Sequence, residues 1–441
     1  MDDQHLAVEV TGKKLPFHIW MWRQWFFFCV GAIAIGGVAV AFWAGSKFAH
    51  KFLRHVLEFS PLLPLVITPL GFALIVFITN KYFYAAQGSG VPQTLAALHA
   101  GESENPKKLL SLPIAAAKFV LTIAGQCVGG SIGREGPMVQ IGASIMYTLG
   151  RFMPDGSTSR HQIDRALIAA GSAAGVAAAF NTPAAGVIFV IEQLLQSIER
   201  RVSSAMIATV VIATIVAEAG FHDYSYFGPV TTELPWSTGW PAILTCGIVG
   251  GLLGGIFIRA FRPVSTFLPA PVRHFRQSSP IKFAAACGLV VAILGVLSNG
   301  SIFGNGSAET RLLLENEHSL PFGYGLIKLA ATFFSCLSGI PAGLFAPSLS
   351  VGAGIGAGVS AVMPSIPATA IILLGIAAYF AALFQAPITA FVIVMEMAGS
   401  YSMALPLMTA ALIATAISRL ICRRTLYDAM SERWRHWATS P

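Results

Sequence analysis

The chain has 441 residues, of which 55% are hydrophobic and only 11% are charged, and its mean hydropathy is +0.69. A soluble protein of this size carries about 25% charged residues, so the composition excludes a soluble globular protein. The formal net charge of +8 lies on segments that flank apolar runs, with no soluble basic face for a nucleic acid to bind. We therefore expect an all-α polytopic membrane protein with no nucleic-acid partner.

Apolar segments long enough to cross a bilayer begin near residue 25 and recur along the chain. A membrane-spanning helix needs roughly 20 consecutive apolar residues, and on the order of a dozen such segments are expected here. No small-residue cleavage site follows the first of them, so a removable signal peptide is not expected. The clearest segments are 25–46, 62–79, 203–220, 240–258, 283–298 and 403–418.

Basic residues mark the segments expected to face the cytoplasm. The N-terminal segment carries Lys13, Lys14 and Arg23, the connection 259–282 carries five basic residues and no acid, and five arginines follow residue 418. The connection 221–239, in contrast, contains neither lysine nor arginine. By the positive-inside rule, both termini and 259–282 face the cytoplasm, and 221–239 faces outward.

One sequence pattern occurs in both halves of the chain. The stretch AAFNTPAAGVIFVIEQ (178–193) resembles ALFQAPITAFVIVMEM (382–397), with paired positions at an offset of 204. Upstream, GREGPMVQIGA (133–143) resembles GLFAPSLSVGA (343–353) at an offset of 210. The difference between the two offsets indicates that the second copy lacks about six residues between these stretches.

The two copies are expected to have opposite orientations in the membrane. Each half begins on one side and ends on the other, which is the inverted-repeat architecture of many transporters, with a binding site at the midplane between the repeats. The predicted organisation is a cytoplasmic segment 1–24, a first membrane repeat 25–220, an extracytoplasmic connection 221–239, a second membrane repeat 240–430 and a cytoplasmic tail 431–441.

Three glycine–proline segments each indicate a loop that enters a helix. They are GSGVPQ (88–93), GREGP (133–137) and GLFAP (343–347). Proline suits the first helical turn, because the N–H groups there have no hydrogen-bond acceptor inside the helix and the N–H that proline lacks is not needed. The open N–H groups and partial positive charge of a helix N-terminus bind anions. Three such ends indicate an anion pathway, and the alternative is that these residues only allow helices to kink and pack.

Glu135 lies beside Arg134 in the second of these segments. A carboxylate in the middle of a membrane costs about 2.5–3.5 kcal/mol on insertion scales. One helix N-terminus offsets about 0.3–1 kcal/mol of this, and up to about 2 when partly buried. Several converging N-termini would hold the carboxylate and equally a chloride, so Glu135 would compete with anions when ionised and leave when protonated. The alternative is an ordinary ion pair with Lys118 or Arg134.

Together with TLYDAM (425–430), these segments resemble the CLC family of chloride channels and chloride/proton exchangers. The resemblance extends over roughly 25–430 with the motifs in family order. It implies two inverted repeats of tilted and broken helices in a homodimer, with one chloride pathway per subunit and no cofactor. A short bacterial member without C-terminal cytoplasmic domains, in the inner (plasma) membrane with both termini cytoplasmic, is the expectation.

The resemblance also implies roles for individual residues. Ser89 and Tyr427 match the hydroxyl-bearing residues that contact chloride, and a serine in the first motif is similar to the chloride-selective members. Leu344 and Phe345 match the positions whose backbone amides contact the anion. Glu135 matches the glutamate that serves as gate and proton carrier. The helix N-terminal motif around it comprises Gly133, Arg134, Gly136 and Pro137.

One departure from the family pattern lies at Gln193. Exchangers commonly have an inward proton-transfer glutamate at this position, and glutamine carries no proton at ordinary pH. The retained Glu135 favours chloride/proton exchange, whereas Gln193 leaves uncoupled, channel-like chloride conduction as the alternative. The neighbouring Glu192 has a repeat counterpart in Glu396, so we expect both to have a structural role at helix ends.

Other functions have less support in the sequence. An intramembrane hydrolase needs a nucleophile with a base, or metal ligands. The ten histidines show no HExxH spacing and Ser89 has no evident base, so no enzyme, catalytic residue or metal site is expected. A secondary transporter of another, bulkier anion is the remote alternative. The six cysteines form no CxxC pair and are expected to be unpaired thiols.

Overall fold

The computed structural model describes residues 7–10, 13–100, 106–153, 159–195, 204–221, 226–228, 230, 232–261, 270–315, 320–321 and 323–439. Within these ranges it describes side chains from residue 25 onward, except at 236–238 and 439. Several segments with sequence-based expectations therefore lie partly outside the described residues. They are the N-terminal segment 1–24, the connection 221–239, the basic connection 259–282 and the tail 431–441.

Helices form nearly all of the regular structure in the described ranges. A short antiparallel hairpin of β1 (Ala7–Val10) and β2 (Lys13–Pro16) precedes them. The first half contains α1 (Phe17–Phe59), α2 (Pro64–Tyr82), α3 (Val91–Leu98), α4 (Leu112–Cys127), α5 (Glu135–Gly150), α6 (Arg160–Phe180), α7 (Pro183–Phe189) and α8 (Ser204–Phe221). A π-helical turn, Val190–Leu195, continues α7.

The second half repeats this order and adds two helices. It contains α9 (Trp236–Phe261), α10 (Ala270–Ser278), α11 (Pro280–Leu297), α12 (Ser307–Leu314), α13 (Tyr324–Leu337), α14 (Phe345–Ser360), α15 (Ala368–Phe384), α16 (Pro387–Ala398), α17 (Ala404–Ile421) and α18 (Leu426–Thr439). The helices without a counterpart in the first half are α10, in the basic connection, and α18 at the end.

The expectation of a polytopic membrane protein is confirmed. Eight helices within the described residues are long and apolar enough to cross a membrane, and five shorter apolar helices accompany them. All six of the apolar segments singled out in the sequence correspond to helices among these eight. The shorter helices include α14, α15 and α16, which the neighbouring helices bury.

Helix boundaries reproduce the sequence repeat. Helices α5 and α14 have 16 residues each. Their first residues, Glu135 and Phe345, are separated by the sequence offset of 210. The last residues of α6 and α15, Phe180 and Phe384, are separated by the sequence offset of 204. The missing residues are therefore located: α15 is four residues shorter than α6, and the connection before it is two residues shorter.

Equivalent glycines in the two repeats also pack equivalently. Gly142 of α5 contacts Gly171 of α6, and Gly352 of α14 contacts Gly375 of α15 in the same way. Such close approach of small residues is typical of membrane helix interfaces. The two helix pairs are therefore copies of one packing arrangement as well as of one sequence pattern.

Reciprocal contacts between the halves confirm two inverted repeats and the expected helix-end role of two glutamates. The Glu192 carboxylate accepts hydrogen bonds from the backbone N–H groups of Ile388 and Thr389 at 3.1 and 2.7 Å, in the first turn of α16. Glu396 accepts equivalent bonds from the first turn of α7 at 3.1 and 2.8 Å. We call this pair the glutamate clasp. Each glutamate caps the positive end of a helix in the other repeat.

Candidate anion-binding site

Backbone pairing brings the three glycine–proline segments together at the centre of the molecule. The N–H group of Gly88 donates to the Ile340 carbonyl at 3.2 Å, and the Ala342 N–H donates to the Gly88 carbonyl at 3.1 Å. Gly133 and Gly343 exchange two hydrogen bonds, of 2.8 and 3.1 Å, in an antiparallel bridge. The segment at 339–345 therefore holds the other two segments beside each other.

Three helices begin where these segments meet, as the sequence predicts. Helix α3 starts at Val91, α5 at Glu135 and α14 at Phe345, and each has its proline within the first turn. The first N–H groups of a helix have no partner inside it. Their convergence makes this place electropositive although the surroundings are apolar.

Ser89 lies in a tight cradle formed by these segments. Its side chain is buried, and the left-handed conformation of Gly90, with φ of 97°, turns the chain into α3. A Cβ atom on Gly136 would lie 2.9 Å from the Ser89 hydroxyl and 3.2 Å from its carbonyl. The glycine at 136 is therefore required for α5 to approach Ser89.

Tyr427, at the start of α18, faces Ser89 from the other side. Its ring stacks on Phe384 at a centroid distance of 5.3 Å and meets Phe345 edge-on at 6.2 Å. The Tyr427 hydroxyl approaches the Ser89 hydroxyl and forms no hydrogen bond within the described residues. Leaving a buried hydroxyl without a hydrogen bond costs about 1–3 kcal/mol of stability. The Tyr427 hydroxyl is therefore available to donate a hydrogen bond to a bound anion.

Leu344 and Phe345 complete this side of the site. Leu344 is the N-cap residue of α14 and Phe345 is its first residue, and both are fully buried. The Phe345 ring lies at the centre of an aromatic cluster, which excludes water from the start of the helix. Its ring neighbours are Phe180, Phe189, Phe380, Phe384 and Tyr427.

Glu135 lies between the starts of α5 and α14. Its side chain is fully buried, and neither carboxylate oxygen forms a hydrogen bond in the part of the chain that the structure describes. The backbone N–H groups of Glu135 itself, Ala346 and Arg134 face the carboxylate. The carboxylate folds back over Gly133, where there is no room for a Cβ atom. The residue thus occupies a position between helix ends that suits an anion.

Of the two cations expected as partners of Glu135, Arg134 forms a long ion pair with it, and Lys118 donates elsewhere. The Arg134 Nε atom is 3.8 Å from the nearer carboxylate oxygen. The Arg134 guanidinium also donates to the Ala179 carbonyl at 3.3 Å and lies 5.9 Å from the Phe221 ring centroid. The Lys118 ammonium donates to the carbonyls of Gln87 and Gly88, at 3.3 and 3.0 Å. Lys118 therefore fixes the chain immediately before Ser89.

The structure reveals a counterpart of this lysine contact that sequence reasoning missed. In the second repeat, the buried Lys328 donates to the carbonyls of Ile302 and Gly304 at 2.7 and 2.9 Å. The segment GNG (304–306) precedes α12 as GSG (88–90) precedes α3, and both helices are eight residues long. Two features of the sequence indicated this counterpart. Both segments share the G-x-G spacing, and Lys118 and Lys328 are separated by the same offset of 210 that relates α5 to α14.

Gln193 lies behind the site, in the π-helical turn after α7. Its side chain is buried, and its amide nitrogen donates to the Phe384 carbonyl at 3.1 Å. The Phe384 ring in turn stacks on Tyr427. Gln193 is thus connected to the anion site through one aromatic residue and does not contact Glu135 through any hydrogen bond that the structure describes.

A small cavity of about 50 Å³ opens beside Ser89. Its lining contains no acidic residue and two arginines that the sequence analysis did not single out. The lining residues are Gln87, Gly88, Ser89, Gln93, Phe261, Arg276, Cys336, Gly339, Met430, Arg433 and Trp434. Among the described residues, no cluster of three or more His, Cys, Asp or Glu side chains could hold a metal ion.

Comparisons with known proteins bear on the family and the fold of the chain. The family model described as "Voltage gated chloride channel" matches residues 70–419. A slow cyanobacterial Cl⁻/H⁺ antiporter has a similar structure, with a TM-score of 0.78 and 22% identity over 93% of this chain and 97% of that one. A CLC-type fluoride/proton antiporter gives 0.76 and 22%, over 95% and 99% of the two chains. A eukaryotic CLC transporter gives 0.72 and 21%, over 94% and 74%.

Proposed function

Because the chain belongs to the CLC family of voltage-gated chloride channels, we propose that it exchanges chloride for protons across a membrane. The family and the matched structures are channels and transporters, and the chain is accordingly an integral membrane transport protein and not an enzyme. The observation that carries the proposal is the buried Glu135 carboxylate, which faces the starts of two helices and, among the described residues, has only the long ion pair with Arg134 as a cationic partner.

Chloride would bind between Ser89, Tyr427 and the start of α14. The two hydroxyls face each other, the Tyr427 hydroxyl has no acceptor in the described structure, and the amides of Leu344 and Phe345 lie at a helix N-terminus. Partial charges of this kind hold an anion weakly enough to release it, which conduction requires. A serine at position 89 favours chloride over other small anions, following the family pattern.

Glu135 would act as both gate and proton carrier. When ionised, it occupies the electropositive place between α5 and α14 and excludes a chloride from it. When protonated, it loses the attraction of the N–H groups and moves aside, so that chloride enters. Alternation between these states couples the two ions, because the same place holds either the carboxylate or the anion.

Uncoupled chloride conduction is the second candidate, and Gln193 favours it. The Gln193 amide donates to the Phe384 carbonyl and has no carboxylate with which to take up a proton. If exchange takes place, protons must reach Glu135 from the inner side by a route that does not use residue 193 as a carrier. A transporter of bulkier anions is disfavoured, because the cavity beside Ser89 has a volume of only about 50 Å³.

The assembly and orientation follow the family and the charge distribution. We propose a homodimer in the inner (plasma) membrane, with one pathway per subunit and both termini in the cytoplasm. Apolar side chains exposed on α8 and α17 would face lipid or the second subunit. They include Ile207, Val211, Ile215, Leu405, Leu412 and Leu420.

Flux measurements on purified protein in liposomes test the proposed exchange. With a chloride gradient, proton movement against its own gradient is expected together with chloride flux, and E135Q should abolish proton movement while chloride flux continues. Chloride flux without proton movement in the unmodified protein would contradict exchange and support the channel-like alternative. Preserved proton coupling in E135Q would remove Glu135 from the mechanism.

A further inference from the structure

A larger cavity, of about 610 Å³, lies between the last turns of α1, the turn that follows α11, and α12. This volume is in the range of cavities that bind molecules of drug size. Gly300 closes one side of it in a left-handed conformation, with φ of 81°, and a Cβ atom there would lie 2.7 Å from the Leu57 side chain. None of the lining residues belongs to the anion site or to the cavity beside Ser89.

One face of α1 supplies both polar and apolar side chains to this cavity. His50, Arg54 and Glu58 follow one another at intervals of four residues, and Leu53 and Leu57 lie beside them at the same interval. Residues four apart lie on one face of a helix. The Arg54 guanidinium donates a hydrogen bond to Nε2 of His50 at 3.2 Å and forms no ion pair within the described ranges. Because a guanidinium has five N–H donors, Arg54 keeps donors for an anionic group.

The described lining also contains two carboxylates. Glu58 is exposed near the end of α1, and Glu309 is half-buried in the first turn of α12. Neither forms an ion pair with another described residue. Burial raises the pKa of Glu309, although the charge of Lys328 acts in the opposite direction. A cationic group bound in the cavity would favour the ionised form of Glu309.

The cavity lies at the level where two membrane-spanning helices end. Phe59 and Leu297 are the last residues of α1 and α11, and each directly follows or precedes a lining residue. Their side chains are 86% and 73% exposed, and exposed apolar side chains of this kind mark a surface that contacts membrane. Lipid headgroups lie at the two edges of the hydrocarbon core that such helices cross. The cavity is therefore open to the headgroup region.

We propose that this cavity binds one membrane phospholipid whose headgroup carries a phosphate and a primary ammonium, as in phosphatidylethanolamine. Arg54 would bind the phosphate, because the forked donors of a guanidinium match its oxygens. Glu58 and Glu309 would accept hydrogen bonds from the ammonium, and the leucines of the lining would contact the acyl chains. The inference does not depend on the proposed chloride exchange.

The same lining disfavours a choline headgroup. A trimethylammonium has no N–H group to donate to a carboxylate and is bound best by several aromatic rings. Phe303 is the only phenylalanine, tyrosine or tryptophan among the described lining residues. The cavity should therefore distinguish two lipids that differ only in the methyl groups on nitrogen.

Native mass spectrometry of the delipidated protein in detergent tests the proposal. Phosphatidylethanolamine and phosphatidylcholine with identical acyl chains are titrated separately, and the ethanolamine lipid should bind about tenfold more tightly, since one charge-assisted hydrogen bond is worth about that factor. E58Q and E309Q should each reduce this preference, whereas R54Q should weaken the binding of both lipids. K51Q in α1 and E315Q at the end of α12 replace exposed residues outside the lining. These matched controls should bind both lipids as the unmodified protein does.

Three outcomes would overturn the inference. They are equal affinities for the two lipids in the unmodified protein, a preference that E58Q and E309Q both leave unchanged, and an effect of R54Q no larger than that of K51Q. Soluble phosphoethanolamine, which has the charged groups without acyl chains, should not displace the lipid at equal concentration; displacement would show a site for a free phosphate ester instead of a lipid. Because Glu58 is exposed, E58Q keeps the test decisive even if E309Q is unstable.

Discussion

Replacing Gly136 with alanine tests whether the approach of α5 to Ser89 positions the chloride ligand. The added Cβ atom would lie 2.9 Å from the Ser89 hydroxyl oxygen, 3.2 Å from the Ser89 carbonyl oxygen and 3.3 Å from the Gly343 Cα atom. A Cβ contact below 3.0 Å is essentially never observed, so the hydroxyl must move. The backbone atoms around it cannot move as easily, because Gly343 is hydrogen-bonded to Gly133.

The expected effect of G136A on chloride affinity follows from this displacement. A hydrogen bond to a charged group contributes about 1.5–3 kcal/mol, so its loss weakens chloride binding by about 10- to 150-fold. Overpacking of this kind also destabilises a protein by about 1–3 kcal/mol. Isothermal titration of the detergent-solubilised protein with chloride measures the affinity, and thermal unfolding in the same detergent measures the loss of stability.

The control for G136A is G358A in α14. Gly358 is exposed near the end of the equivalent helix, and a Cβ atom there meets nothing within 4 Å. Alanine is also the better helix former by about 1 kcal/mol, so G358A should bind chloride normally and be no less stable. If G136A binds chloride as tightly as G358A does, the Ser89 hydroxyl is not a chloride ligand whose position depends on Gly136.

Four further substitutions test other parts of the structure. K118M removes one donor from the Gln87 and Gly88 carbonyls, which keep their bonds from Gln93 and Ala342. K328M removes the lysine donor of the Ile302 and Gly304 carbonyls. Both should lower the thermal unfolding temperature, but only K118M should also weaken chloride binding in titrations; equal chloride affinities would separate Lys118 from the site. E396Q weakens the cap on α7 and should lower the free energy of unfolding by about 1 kcal/mol with chloride binding unchanged, and an unaltered unfolding transition would contradict this. Q193E should increase the number of protons moved per chloride in liposome flux assays, and an unchanged ratio would show that protons do not pass residue 193.

Much of the architecture could be predicted because the membrane imposes it. Apolar length indicated the spanning helices, and the two constant offsets between paired stretches indicated the inverted repeats. The helix starts at Glu135 and Phe345 followed from proline in the first turn. These are local rules or periodicities, which a single sequence displays directly.

The parts that sequence could not predict depend on contacts between distant residues. Lys118 was considered as a partner for Glu135, because both are charged and both lie in apolar surroundings. The structure instead gives Lys118 two carbonyls near Ser89, in a segment far before it in the chain. Arg276 and Arg433 were noted only as cytoplasmic charges, since nothing in their spacing indicates that α10 and α18 meet at one cavity.

The glutamate clasp has a consequence for the order in which the chain can fold. The carboxylate that caps α7 belongs to Glu396, and the bond from Ala184 closes across 212 residues of chain. At a synthesis rate of about 5–20 residues per second, the first turn of α7 waits about 10–40 s for its cap. Glu192, which caps α16, has in contrast already been synthesised when α16 is made. The first half therefore completes the cap of α7 only after the second half has entered the membrane.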